Sequence, residues 1–197
     1  MNPQNDLSRR KLLAAPSLLM VAAGLGASSS SAPAAGQADS SVLVACFSRS
    51  GNTRVIAGQI RRALGARSFD IEPAAPYPED YEETVAQAER ERRAQYRPPL
   101  KAMADMEGCE TVFLGFPIWG MTAPAIIRSF LAAHDFRGRT LIPFITHGGY
   151  GLGNSLSVVA THAPQADILD GFSMEADQER RTLTEVTGWL GGVSLPK

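Results

Sequence analysis

Ser41-Val42-Leu43-Val44-Ala45-Cys46-Phe47 runs straight into Ser48-Arg49-Ser50-Gly51-Asn52-Thr53, and the reading of this junction decides the fold. An apolar run rich in β-branched residues, without polar alternation, suits a strand covered on both faces. The hydroxyl, amide and glycine cluster behind it ends the strand and opens a helix. From Thr53 to Leu64, Val55, Ile56, Ile60, Ala63 and Leu64 recur at helical spacing, and Gly65 stops them.

Working outward, the same alternation repeats. Short strands are predicted at Ser68 to Ile71 and at Thr111-Val112-Phe113-Leu114-Gly115-Phe116, with a helix from Ala125 to Ala133 that has Pro124 at its first turn. Thr140 to Thr146 reads as a fourth strand. Pro143 removes a backbone donor there, which places it near the strand start or at a bulge. A helix over Asn154 to His162, a weaker fifth strand over Ala166 to Phe172 and a closing helix over Asp177 to Leu190 complete the series. Such alternation implies an α/β fold, a parallel sheet with helices on both faces. Pro78 to Tyr96 carries acids early and arginines late, which complements a helix dipole; it is expected to be a solvated surface helix.

The chain of 197 residues holds 19 Lys+Arg against 20 Asp+Glu, so no cationic surplus exists to neutralise a run of phosphates, and nucleic acid is not an expected partner. Residues 1–38 read as an address. Ser8-Arg9-Arg10-Lys11-Leu12-Leu13, an apolar run to Ala27 and a Ser/Ala/Pro stretch ending near Ala38 make an export signal and linker of twin-arginine type, with a periplasmic or otherwise exported destination. The apolar run is 16 residues long, short of the roughly 20 that span a bilayer, so no stable membrane span is expected after cleavage between about 34 and 38. The domain proper is residues 39–197, with a surplus of three acids once the leader is removed. Cys46 and Cys109, the only cysteines, fall about six residues out of step on neighbouring strands, on the order of 20 Å apart, and are expected to stay free.

In an open parallel sheet, ligands bind beyond the carboxyl ends of the strands where the strand order reverses. Three loops meet that description. Ser48-Arg49-Ser50-Gly51-Asn52-Thr53 offers hydroxyls and amides at a helix mouth, the chemistry that cradles a phosphate. It has no lysine, so the P-loop of a triphosphate site is absent. Pro117-Ile118-Trp119-Gly120 presents an indole that either offers its face to a planar ring or folds back onto the core. His147-Gly148-Gly149-Tyr150, with further glycines behind, allows close approach of backbone to a ligand. No Gly-x-Ser-x-Gly elbow occurs, and His134, His147 and His162 have no metal-ligand spacing, so neither a catalytic side chain nor a metal site is assigned. His134 and His162 are expected to be solvated at helix C-termini.

In this order the loops resemble those of the flavodoxin-like family: Ser48 to Thr53 as the phosphate loop, Gly115-Phe116-Pro117-Ile118-Trp119 as the second flavin loop and Thr146-His147-Gly148-Gly149 as the third. The resemblance spans about Val42 to Leu190. It implies five parallel strands in the order 2-1-3-4-5, doubly wound, and FMN as cofactor. On that reading Ser48, Ser50, Asn52 and Thr53, with the amides of Arg49 and Gly51, hold the FMN phosphate. Trp119 stacks on or edges the ring, Pro117, Ile118 and Gly120 shape its slot, and Gly148 and Gly149 approach its pyrimidine end. His147 departs from the usual small hydroxyl residue, and Tyr150 either supplies a second aromatic face or points to solvent. The implied function is electron transfer through the flavin to a redox partner protein or a small quinone-type acceptor. NAD(P)H-dependent quinone or flavin reduction is the alternative, and a flavin-free binding module the third.

Overall fold

The computed structural model describes residues 40–175 and 179–195. The expected leader over residues 1–38, and residue 177 where the closing helix is expected to begin, lie outside the described residues. The strands are β1 (Val42–Cys46), β2 (Arg67–Asp70), β3 (Thr111–Pro117), β4 (Thr140–His147) and a fifth in two pieces, β5 (Asp167–Ile168) and β6 (Phe172–Glu175). The helices are α1 (Asn52–Leu64), α2 (Tyr81–Arg93), α3 (Ala125–Ala133), α4 (Ser155–His162) and α5 (Glu179–Leu190). Every pairing is parallel, and the order is 2-1-3-4-5, with both pieces of the fifth strand on β4.

The unbroken apolar strands build two cores, one on each face of the sheet. Leu43, Ala45, Val112, Leu114, Phe116, Leu141 and Ile145 point to the face covered by α3 and α4, where Ile126, Phe130 and Val159 meet them. Val42, Val44, Cys46, Phe113, Ile142 and Phe144 point to the other, covered by Ile56 and Ile60 of α1 and Val186 of α5. Gly115 belongs to this second set by register. It is glycine because the Phe144 ring lies flat over it: a Cβ there would fall 2.1 Å from the ring.

The fifth strand is not the continuous run over Ala166 to Phe172 that its sequence suggests, and the cause is Pro143. Leu141 pairs with Ile168, and pairing resumes at Phe144 with Phe172, so Leu169, Asp170 and Gly171 face only Ile142 and Pro143. The odd-numbered residues of β4 turn their backbone groups to this edge, as the Leu169 N–H to Leu141 carbonyl bond of 3.1 Å shows. Pro143 therefore has no donor to give where the ladder needs one, and the neighbouring strand bulges past it. The bulge brings Gly171 so close to the Pro143 carbonyl that a Cβ would lie 2.2 Å from its oxygen. Pro143 thus lies mid-strand, and the bulge is on its partner.

Both cysteines are free and buried. Cys46 pairs in register with Gly115, six positions beyond Cys109, which keeps the thiols apart. Burial, helped by Asp70 and opposed by Arg54, pushes the Cys46 thiol up to about 12; burial also raises Cys109. Neither is a thiolate at neutral pH, so neither is a nucleophile.

His134 departs from the solvated role expected of it. Its Nε2 accepts the Ala104 N–H at 3.0 Å, which fixes the proton on Nδ1, and that Nδ1–H donates to the Phe130 carbonyl at 2.8 Å. The imidazole staples the end of α3 to the segment before β3. Burial lowers its pKa from 6.5, outweighing the Phe130 bond that raises it. The neutral form is the folded form, so its stabilisation is complete above pH about 6.5 and is lost as pH falls through the depressed value.

Two predictions follow from this packing. Gly115→Ala should cost about 1–3 kcal/mol by overpacking against Phe144, whereas Gly188→Ala, exposed in α5 with open space around it, should gain about 0.5–1 kcal/mol; urea denaturation reads both signs. His134→Leu, which orphans the Ala104 N–H, should cost about 1–2 kcal/mol at pH 8 and flatten the loss of stability that the wild type shows between pH 7 and 5.

Candidate functional site

With the strands buried on both faces, polar groups collect where the strands end. β1 and β3 lie side by side while their connections leave in opposite directions, which makes the crevice above them the switch point. Three segments converge there and are tied together. The Thr53 and Thr146 hydroxyls form a buried hydrogen bond of 2.8 Å, fixing the first turn of α1 to the end of β4. The Ile118 N–H donates to the Thr146 carbonyl at 2.8 Å, and the Asn154 N–H to the Met121 carbonyl at 3.1 Å, which holds the segment after β3 to the one after β4.

The mouth of α1 has the features of an anion cradle. Gly51 stands at its N-cap with φ of 97°, no side chain caps the helix, and no acid occupies the first turn. The Ser48 hydroxyl accepts the Gly51 N–H at 3.1 Å, which curls the loop around that mouth. Arg49 and Ser50 are exposed, and Asn52 is half-buried. Thr53 is buried and its hydroxyl is engaged with Thr146, so it shapes the mouth from behind. Arg49 reaches away, donating to the Glu79 carbonyl at 2.5 Å with its guanidinium 6.0 Å from the Tyr81 ring centroid.

Gly115, Phe116 and Pro117 lie within β3, so the second loop begins only at Ile118. Trp119-Gly120-Met121-Thr122 closes as a tight hairpin, with the Trp119 N–H to Thr122 carbonyl bond at 2.9 Å and its reciprocal at 3.3 Å. Gly120 and Met121 have φ of 56° and 65°, the pair of left-handed residues that a type I′ turn requires. Trp119 is half-buried and turns its ring edge-on to Phe47, 5.2 Å between centroids, and to Tyr77, 4.9 Å. Its indole is therefore braced by aromatics while one side lines a cavity of about 350 Å³. Its other walls include Ile118, Gly120 and Arg49 and, from α2, Tyr81, Val85, Glu89 and Arg92. A second cavity, about 510 Å³, opens between the ends of β1 and β2 and shares Ser48 and Arg49 with the phosphate-type loop.

In the third loop the expected residues stand together at the end of β4, although their backbone is already partly used. His147 Nδ1 accepts the Gly149 N–H at 3.2 Å, and Gly149, at φ of 90°, approaches the Glu175 carboxylate so closely that a Cβ would lie 3.1 Å from it. Gly148 is exposed, and Tyr150, 81% exposed, points to solvent. Among the described residues no group of three or more His, Cys, Asp or Glu could hold a metal ion.

Reading α2 as a merely solvated helix misses its role. Glu91 is buried, accepting from the Tyr77 hydroxyl and from Gln87, each at 2.9 Å. Burial, then the Glu91 charge, raises the Tyr77 phenol. Arg92 Nη1 donates to the Gly120 carbonyl at 3.2 Å. A Cβ on Gly120 would meet that nitrogen at 2.4 Å and displace the arginine tip, while the left-handed φ is what favours glycine here. The apolar stripe of Tyr81, Val85 and Ala88 was the available signal: in the structure it faces the cavity instead of the sheet.

A doubly wound parallel sheet of order 2-1-3-4-5, with polar loops gathered at its switch point, defines the flavodoxin-like class of α/β folds. Residues 41–192 match the family described as Flavodoxin, and the chain belongs to that family. A candidate flavoprotein from Bacteroides eggerthii is 30% identical with a TM-score of 0.67, covering 79% of this chain and 98% of its own. Another from Bacteroides uniformis is 28% identical with a TM-score of 0.66, covering 76% of this chain and 97% of its own. A flavoprotein from Lactobacillus acidophilus, in complex with FMN, shares the fold at 17% identity and a TM-score of 0.61, over 73% of this chain and 97% of its own. A comparison with curated proteins returns no match.

The buried hydroxyl pair yields a test of how the loops are held. Thr146→Val should cost about 1–3 kcal/mol by stranding the Thr53 hydroxyl, and the double variant Thr53→Val/Thr146→Val should cost less than the single one, as measured by urea unfolding.

Proposed function

We propose that the protein is an FMN-binding redox protein that passes electrons between partners. The observation that carries this reading is the uncapped mouth of α1, free of acidic residues and tied by Thr53 and Thr146 to the loops that carry Trp119 and His147. The fit to FMN is chemical. Ser48, Ser50, Asn52 and the amides of Arg49 and Ser50 supply donors for a phosphate, the Gly51 N–H being already held by the Ser48 hydroxyl, and the α1 dipole favours its charge. The Trp119 indole, braced by Phe47 and Tyr77, supplies a flat apolar wall for a tricyclic ring. FMN when bound supplies the redox chemistry itself. The chain binds, orients and shields. Arg92 keeps the Gly120 peptide pinned, so the loop over the ring holds one shape. No side-chain acid or base is needed for electron transfer.

A second reading, NAD(P)H-dependent reduction of a quinone or flavin, is supported by the 350 Å³ cavity against Trp119, which leaves room for a small molecule beside the indole. No described helix is long and apolar enough to cross a membrane. Export by the twin-arginine-type segment within residues 1–38 belongs to the same proposal, since that route carries proteins already folded around a cofactor.

Titration of the purified chain with FMN should quench flavin fluorescence and shift its visible spectrum. Riboflavin, which lacks the phosphate, should bind about 100-fold more weakly, the equivalent of one or two charge-assisted hydrogen bonds. Equal affinity for the two would remove the phosphate mouth from the reading. Anaerobic NADPH or NADH then separates the two roles: rapid bleaching supports a reductase, and a flavin bleached only by dithionite or a partner reductase supports a carrier.

A further inference from the structure

The cavity of about 510 Å³ between the ends of β1 and β2 has no part in the flavin reading, and its volume is that of a small-molecule site. Its floor is apolar: Phe47 and Ile71 are buried, and the Tyr77 ring lies 5.8 Å from that of Phe47. Its walls are preformed. The Tyr77 hydroxyl donates to buried Glu91 at 2.9 Å, which fixes the ring. The segment after β2 carries Pro73, Pro76 and Pro78, whose locked φ leaves little freedom to lose. That segment is held by the Ala74 N–H on the Pro99 carbonyl and the Lys101 N–H on the Glu72 carbonyl, each at 2.8 Å. A ligand meeting such a wall loses little affinity to ordering it. Phe47 and Tyr77 line this cavity, Trp119 lines the smaller one, and Arg49 alone lines both. A ligand here therefore lies behind the rings that brace the indole and not on the indole itself.

The rim sets the chemistry of the ligand. Its cations are Arg49, Arg54 and Lys101, and its carboxylates are Glu72 and Glu79. Lys101 holds Glu72 at 2.6 Å, and Arg54 holds Asp70 of β2 at 3.5 Å. Arg49 donates to the Glu79 carbonyl, which sets it beside the residue that carries the remaining negative charge. The charges balance, so an ion entering from water would find no net counter-charge to replace its hydration. Hydrogen-bonding capacity does not balance. Arginine and lysine side chains have several N–H donors each and no acceptor, so the three keep donors beyond those their partners take. The ligand that fits is flat and apolar in body, uncharged, and carries acceptors at its edge. We propose that this cavity binds an uncharged aromatic carbonyl compound of about two fused rings, its body on Phe47, Ile71 and Tyr77 and its carbonyl oxygen on the cationic rim. The site goes beyond the FMN reading and does not depend on it, since Ser50 to Thr53 at the α1 mouth take no part in its lining.

The test is calorimetric titration of the full chain, with and without FMN, using chromone as the uncharged probe and naphthoate and naphthylmethylammonium as an anion and a cation of similar size. Chromone should bind equally well in both conditions, and each ion at least about ten-fold more weakly. Ala74 is exposed, lines the cavity and lies outside both the α1 mouth and the Trp119 cavity. Ala74→Trp should fill the space and weaken chromone at least about ten-fold while leaving FMN affinity unchanged. Glu72→Gln, also at an exposed position, leaves Lys101 without its carboxylate and should raise naphthoate affinity about five-fold; it decides the matter if Ala74→Trp does not fold. Absence of chromone binding, wild-type chromone affinity in folded Ala74→Trp, equal binding of an ion, or naphthoate binding indifferent to Glu72→Gln would each overturn the inference. So would a chromone site blocked by FMN, which would belong to the flavin crevice. A chain that takes up no FMN yet binds chromone with these preferences would sink the flavin reading and leave this one standing.

Discussion

Burial of the sheet on both faces is the constraint from which the rest follows. Every side chain of β1 lies in one core or the other, and β3 and β4 are buried until their last residue. Polar chemistry is therefore excluded from the strand interiors and pushed to their ends. At the carboxyl ends the helix mouths point their N–H groups outward, and the crossover between β1 and β3 leaves a crevice to receive what those groups bind. One buried pair, Thr53 with Thr146, crosses that crevice at its base. It costs little because each hydroxyl satisfies the other, and it converts loops from distant parts of the chain into one surface.

How far the sequence discloses this depends on whether a signal is local. The strand runs, the glycine stop at Gly65 and the helix from Ala125 are each written in a few neighbouring residues, so their elements are legible. Pro143 shows the limit. Its missing donor is visible in the sequence, but the strain appears on a different strand, at Leu169 to Gly171, because the ladder transmits it sideways. Likewise Gly115 is read correctly as part of its strand, but why a glycine stands there is set by a phenylalanine ring from β4 that no local pattern shows.

The helix α2 was expected as an element, but its part in the site was hidden for a different cause. Acids at one end and arginines at the other satisfy a helix dipole and complete a surface description, so nothing in the pattern asks for a partner. What the pattern lacks is direction. Arg92 and Glu91 are adjacent, yet one reaches the Gly120 carbonyl and the other is buried under Tyr77. Trp119 is the complementary case: the indole is braced edge-on by Phe47 and Tyr77 while it also lines the cavity, a placement that no local pattern in the sequence specifies.

Near-neutral net charge also conceals local fields. The surplus over the whole chain is a single negative charge, yet Arg49 and Arg92 line the cavity beside Trp119, and the described α1 mouth has no acid in its first turn. Exposed Arg49 is cheap to hold, because water screens it and the Glu79 carbonyl and Tyr81 ring accept it. Arg128 is not, because two of its nitrogens are shut away from water without a substitute. A fold that holds such a residue without a partner for those nitrogens gives up stability at that spot, so what fixes Arg128 in place is its packing in α3 and not its charge.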